Sequence, residues 1–344
     1  MVVIPLVRAS VFLPVVEFLN HIGSPTDRLL AQVNLSLPPT DHSENLLPLY
    51  QSCELIENAA RLEGLEDLGF LIAKQTSLCQ LGQLGSIACN TFTLFDLLTT
   101  LEQTVGLANS GEQCTLRWEK DWVWVQQHCK TPNNQTPNLQ TQRYDLMLYI
   151  DAIRMALGPT WNPPELYLIG PPCRSLLAME VFSDAYIHFM SPYNAIKVPR
   201  SALSLPINHS AVLCQLSPTP DYETFHTSAP ARDSIKSCRQ LILSLLPSGY
   251  PEVTIVAKAA GMSVRSLQRH LSEAGLTYSR LIEQVRYDQA VKLLKYPDVK
   301  LIDIAADLGY TDSANFTRAF KRWTSISPRE FRAVNLSPDF PPLP

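Results

Sequence analysis

No apolar run in this 344-residue chain reaches the roughly 18–20 residues needed to cross a bilayer, so no membrane partner is expected. Met1 to Val16 is apolar with a single Arg8. It lacks a basic start followed by a small-residue cleavage site, so it does not read as a secretory leader. There is no Cys-x-x-Cys pair among the eight cysteines, and no histidine stands at zinc-finger spacing from one. No metal and no cofactor is implied. Cys53, Cys79, Cys89, Cys114, Cys129, Cys173, Cys214 and Cys238 are therefore expected to be reduced core thiols of a cytoplasmic protein. A nucleophile elbow, a P-loop and a dinucleotide fingerprint are also missing. The seven histidines (His21, His42, His128, His188, His209, His226 and His270) are isolated. No catalytic residue can be nominated, and the chain does not read as an enzyme. The alternative is that the N-terminal part is a small-molecule enzyme fused to a second, non-catalytic module.

What is present is a globular composition, 46% hydrophobic and 17% charged. The length suggests two domains, because single cores rarely grow past about 250 residues. The net charge of −4 is unevenly spread. Residues 231–335 carry 16 Lys+Arg against 10 Asp+Glu, a balance of +6, and the rest carry 12 against 22, a balance of −10. A basic segment on an acidic chain suggests a polyanion as partner for that segment.

The pattern before residue 207 is mixed. Residues 44–62 form an amphipathic period, with Leu47, Ile56, Ala59 and Ala60 on one face. Leu68 to Ala73, Phe92 to Val105 and Gln142 to Leu157 also read as helix. Cys114, Leu116 and Trp118 alternate with polar residues, and Trp122 to Gln127 follows a two-residue break, the pattern of a β-hairpin. Trp118, Trp122, Trp124 and Trp161 read as core, with a ligand-pocket lining as the alternative. Leu166 to Ile169, Tyr186 to Phe189 and Ala195 to Val198 are short strand candidates, and 131–138 is a polar loop. The expectation is an α+β domain over 1–207 and a proline-bearing linker over 208–230. An all-α domain over 231–335 and a proline-rich tail over 336–344 complete the chain.

The all-α part repeats itself. Val256, Ala257, Gly261, Leu267, Arg269 and Leu271 recur 48 or 49 residues later as Ile304, Ala305, Gly309, Phe316, Arg318 and Phe320. Small alanines let a second helix pack close. Gly261 and Gly309 suit a left-handed helix exit, and Ser263 and Asp312 suit N-caps. Leu267 and Leu271, like Phe316 and Phe320, lie four apart and face inward. The opposite face of each second helix stays free, as in a helix-turn-helix whose second helix enters the major groove. On the first such face stand Arg265, Ser266, Gln268 and Arg269. On the second stand Ser313, Asn315, Thr317 and Arg318. Arg pairs bidentately with guanine and Gln or Asn with adenine, so these eight are candidate base contacts. Lys321 and Arg322 suit phosphate. Tyr278 to Tyr296 forms a joining helix of about 27 Å at ~1.5 Å per residue. It is long enough to hold two reading helices about one DNA turn apart.

The stretch 302–323 (IDIAADLGYTDSANFTRAFKRW), with Ser327, Pro328, Arg329, Glu330, Phe331 and Arg332 after it, closely resembles the signature of the AraC/XylS family of bacterial transcription regulators. Residues 259–271 (AAGMSVRSLQRHL) are similar to the first unit of the same domain, and the match spans about 233–334. Earlier, 60–73 (ARLEGLEDLGFLIA), 81–85 (LGQLG), 161–164 (WNPP) and 193–196 (YNAI) resemble the arabinose-binding-type sensor domain of regulators of the ornithine-utilisation kind. The resemblance implies promoter DNA and RNA polymerase as partners, with effector sensing, homodimerisation or both in the N-terminal domain. Arabinose itself is not implied. The expected mechanism is that an effector or second protomer, bound by the N-terminal domain, changes how the C-terminal domain engages DNA and RNA polymerase.

Overall fold

The computed structural model describes residues 3–39, 42–129, 138–208 and 220–336. Pro5–Ala231 form one compact unit. Arg232 onward form a second, which also takes in the start of the chain: the Ile4 N–H donates to Ser237 Oγ at 3.1 Å.

The first unit opens with β1 (Leu6–Arg8), which pairs antiparallel with β2 (Leu46–Pro48), and with helices α1 (Ala9–His21) and α2 (Thr26–Val33) between them. Then come α3 (Leu49–Glu63), α4 (Leu68–Gln75), α5 (Gly82–Cys89) and α6 (Leu94–Ala108). A capping box starts α6: Thr93 Oγ1 accepts from the Asp96 N–H, and Asp96 Oδ2 accepts from the Thr93 N–H. The sheet that follows contains β3 (Glu112–Trp118), β4 (Trp122–Cys129), β5 (Glu165–Tyr167), β6 (Tyr186–His188) and β7 (Asn194–Pro199), in the order β3-β4-β7-β5-β6. Its pairs are antiparallel except β5 with β6. The short helix α8 (Arg174–Leu177) lies in the β5–β6 crossover. Helix α7 (Leu139–Leu157) is buried along most of its length, and packs against α4, α3 and β7.

The expected hairpin is there, with Cys114 opposite Gln127 and Trp118 opposite Val123. The tryptophans are not all core. Trp118 shares the inner face with Val123 and Val125, but at the hairpin tip it is 47% exposed, 6.2 Å from the Phe95 ring. Trp122 and Trp124 lie on the opposite face, where Lys197 Nζ sits 4.9 and 5.3 Å from their rings, and Trp124 is buried against the Tyr167 ring. Leu47 belongs to β2 rather than to the helix after it, because Pro48 ends an extended segment before α3. Most of the expected 131–138 loop, and Cys214, lie outside the described residues.

Two further expectations are corrected. Cys79 and Cys89 form a disulfide across α5 instead of standing as reduced thiols, while Cys53, Cys114, Cys129, Cys173 and Cys238 are free. The 208–230 stretch is not irregular throughout. Residues 209–219 lie outside the described set, but α9 (Tyr222–Thr227) is a helix capped by Asp221, and it buries Phe225.

The second unit is helical among its described residues: α10 (Ser234–Leu245), α11 (Val253–Ala259), α12 (Val264–Glu273), α13 (Tyr278–Leu294), α14 (Leu301–Asp307), α15 (Ser313–Thr324) and α16 (Pro328–Leu336). Pairs α11–α12 and α14–α15 are the repeated unit. Helix α13 joins them, with Leu281, Ile282 and Val285 buried in its first half and Ala290 and Leu294 in its second. The second pair closes around Ile304, Leu308, Phe316, Phe320 and Phe331. Gly261 and Gly309 have φ of 67° and 68°. At Gly309 the chain also passes so close to the Gly249 carbonyl that an added Cβ would lie 2.6 Å from its oxygen, so no other residue fits.

Candidate nucleic-acid interface

Each reading helix is fixed by the same two devices. Ser263 Oγ accepts from the Ser266 N–H at 3.1 Å, and Asp312 Oδ1 accepts from the Asn315 N–H at 2.7 Å. The bond from the Asn315 N–H holds the Asp312 carboxyl below the usual carboxylate range. Behind each cap, Leu267 and Leu271, or Phe316 and Phe320, are buried, which turns the polar face of the helix to solvent.

On α12, Arg265, Gln268 and Arg269 are exposed. Arg269 is 3.8 Å from Glu273 one turn on, an exposed pair that constrains it little. Ser266 is half-buried and its hydroxyl is 2.9 Å from Ser263 Oγ, within the cap. The first face therefore offers three long, accessible donors and one serine engaged by the cap.

Helix α15 is different. The Asn315 amide donates to Thr311 Oγ1 at 3.0 Å and to Asp312 Oδ2 at 2.7 Å, and its carbonyl accepts from Arg318. The Thr317 hydroxyl donates to the Ser313 carbonyl at 2.7 Å, and Ser313 itself is half-buried. Lys321 is exposed. Arg322 is 2.5 Å from Glu283 of α13. The structure thus brings Asn315 and Arg318 together, and ties Arg322 to an acid.

Residues beyond the sequence-derived set shape this side. A groove of about 600 Å³ lies between α13 and α15. Its floor is Arg286, 8% exposed, with its guanidinium 4.2 Å from the Tyr310 ring centre and 4.8 Å from that of Tyr250. Arg286 Nη2 also donates to the Gly309 carbonyl at 2.9 Å, locking the second turn onto α13. An arginine on the apolar stripe between Ile282 and Ala290 was the signal available in the sequence. Glu283, three positions earlier, gives none.

Two capped helix pairs on one joining helix, each with a polar outer face, define a DNA-binding transcription regulator. Comparison with known proteins agrees. Residues 256–333 match the model of a helix-turn-helix domain, and residues 23–207 match that of the arabinose-binding domain of AraC transcription regulators. The chain belongs to the AraC family of transcription regulators. It is 30% identical over 189 residues to the ornithine utilization regulator of Pseudomonas aeruginosa, covering 54% of each chain. It is 25% identical over 334 residues to the regulator VirS of Mycobacterium tuberculosis, covering 95% of this chain and 96% of that one. It is 35% identical over 325 residues to an uncharacterized HTH-type regulator of Mycobacterium bovis, covering 92% and 93%. The solved structure of CdpR from Pseudomonas aeruginosa is 21% identical, with a TM-score of 0.38 over 90% of this chain and 96% of that one. Among the described residues no helix is long and apolar enough to cross a membrane.

Proposed function

We propose that the chain reads promoter DNA in two adjacent major grooves and does so under the control of a small-molecule effector bound by its N-terminal domain. The observation that carries this reading is the pair of polar faces, each on the second helix of a capped unit, opposite a buried apolar pair. In this reading Arg265, Gln268 and Arg269, with Ser266, contact bases through α12. On α15, Ser313, Asn315, Thr317 and Arg318 form a second base-reading set, and Lys321 and Arg322 grip phosphate. Because Asn315 and Thr317 are already engaged, α12 supplies more of the specificity, and α15, through the exposed Lys321, more of the backbone hold.

The functional domains are 1–207 for sensing or dimerisation, 208–230 for linkage and 231–335 for DNA, with 336–344 a tail. The protein acts in the cytoplasm, where its DNA is, as a regulator without catalytic activity. Its further partners are RNA polymerase and a second copy of itself. The relatedness to an ornithine utilization regulator supports a metabolite as effector. The test is competition at matched salt: specific promoter fragments should out-compete random DNA by about a thousandfold or more. Equal affinity for both would replace this reading with that of a non-specific architectural protein.

A further inference from the structure

The N-terminal unit contains two acids in apolar surroundings, Glu112 half-buried and Asp145 buried. Glu112 opens β3, and Asp145, 5% exposed, lies on the side of α7 that meets the sheet. Both line one cavity whose walls include Leu81, Leu84, Leu101 and Leu148. Asp145 also lines a second, smaller cavity with Cys53, Thr141 and Tyr144. There the Thr141 hydroxyl, more than nine-tenths buried, has no oxygen or nitrogen partner, and beside it lies only the Cys53 thiol, a weak one.

The acids are held by neutral groups. The Tyr149 hydroxyl donates to Glu112 Oε1 at 2.9 Å. Gln127 Nε2 reaches Asp145 Oδ2 only at 3.4 Å, and Gln127 is itself fixed by a 2.9 Å bond from Asn194. No lysine, arginine or histidine lines either cavity. The titratable groups packed around the acids are Cys53 of α3, Cys114 of β3, Cys129 of β4, and Tyr144 and Tyr149 of α7. The charges that reach those groups, besides the two acids, are Glu17, Glu57 and Glu102, which are also negative. Burial is the larger cause and pushes both carboxyls up, Glu112 to about 7, and Asp145 is raised further by Glu112.

Buried carboxylates without a cation are costly, and the cost is relieved when a cation arrives. Two carboxylates do not make a cage for a divalent metal, and among the described residues no group of three possible ligands exists. The free space beside Glu112 and Asp145 is about 30 Å³. That is room for about two waters, which suits an ammonium group. We propose that the Glu112–Asp145 pair is the recognition point for the head group of a primary-amine effector. This deepens, and rests on, the reading of the N-terminal domain as a sensor. The ammonium meets Glu112 and Asp145 in the cavity the two acids share, next to the cavity that Asp145 shares with Thr141, and its carbon chain lies along the leucine wall. The incoming R–NH₃⁺ displaces the proton the pair held, which leaves to solvent, so charge balances.

The test is isothermal titration of the full-length protein with n-butylammonium, sodium butyrate and n-butanol, in amine-free buffers of different ionisation enthalpy. Expected are saturable binding of the amine alone, proton release on binding, and a loss of about tenfold or more in affinity for Glu112→Gln and for Asp145→Asn. Both variants remove a buried charge, and circular dichroism verifies that they fold. Binding of butyrate or butanol as tight as the amine, no binding of the amine, or folded variants that bind it like wild type would each overturn the proposal. DNA binding is read on the same samples. Amine binding absent with DNA binding intact rejects the amine site alone, whereas wild-type protein without sequence-selective DNA binding rejects the regulator reading.

Discussion

The guanidinium of Arg8 lies 4.4 Å from the ring centre of Phe225 and donates to that residue's own carbonyl at 2.7 Å. Arg8 is 1% exposed, and its other donors reach the Leu107 carbonyl, the Glu44 carbonyl and carboxylate, and Ser228 Oγ. One side chain thus ties α9, at the end of the N-terminal unit, to that unit's first strand. Arg8→Leu leaves buried acceptors unpaired and should cost about 2–4 kcal/mol. Urea denaturation reads the loss, and limited proteolysis should find new cleavage at 222–228. An unchanged midpoint and digest would mean that α9 is held by other contacts.

Arg265→Ala should weaken specific binding by about 1–3 kcal/mol and relax base preference at one position, because an exposed arginine at the start of a reading helix pairs bidentately with guanine. Asn315→Ala should cost less, since the Asn315 amide already bonds Thr311 and Asp312. Binding measured on a set of single-base operator variants compares the two. A larger effect at Asn315 would reverse the division of labour between α12 and α15.

Lys321→Ala should weaken binding to every sequence and lower the salt slope by about one. Glu283→Gln should act the other way. It releases Arg322 and removes a negative charge beside the groove, so affinity for all sequences rises by up to about fivefold, within the range of an exposed ion pair. Salt titrations of the three proteins on one random duplex test both. A Glu283→Gln protein that bound more weakly would show that the acid positions Arg322 rather than competing for it.

Much of the DNA-binding unit is legible in the sequence. A 3.6-residue period, a glycine at each helix exit and a capping residue after it are local signals, and each repeat reinforces the other. The ties of Asn315 and Arg322 are not legible, because they depend on rotamers and on Glu283 from a different helix. In the N-terminal unit α1 and α5 escape notice: both are apolar nearly all round, so neither shows an amphipathic period. Helix α7 shows the converse. Gln140, Thr141, Gln142 and Asp145 are polar yet buried, satisfied in part by partners distant in sequence such as Gln127. The Cys79–Cys89 bond was missed because spacing alone does not pair cysteines.

The acid pair sets a pH dependence. The Glu112 carboxyl sits at about 7 in the fold against 4.5 without it. Between these values the folded state holds more protons than the unfolded one, so stability falls as pH rises. The N-terminal transition should therefore melt higher at about pH 5 than at about pH 8, and Glu112→Gln should flatten the change. Differential scanning calorimetry across that window checks it. A melting point that rises with pH would show that the pair ionises freely in the fold.

Reduction of the Cys79–Cys89 bond should destabilise the N-terminal unit by about 3 kcal/mol, the loop-closure entropy of a ring of its size. Both sulfurs are buried, so the reductant acts only after local opening. Thiol titration with and without denaturant, followed by melting, tests this. Seven or more reactive thiols in the untreated, denatured protein would show that the bond does not form.

The account stands most directly on sequence selection by two reading helices. In vitro selection of the full-length protein from a random duplex pool, at near-physiological salt, measures it. The prediction is an enriched motif of two blocks centred about one helical turn apart, with the block read by α12 the sharper and the one relaxed at one position in Arg265→Ala. A selected pool with no common motif, bound no better than the starting pool, would contradict it.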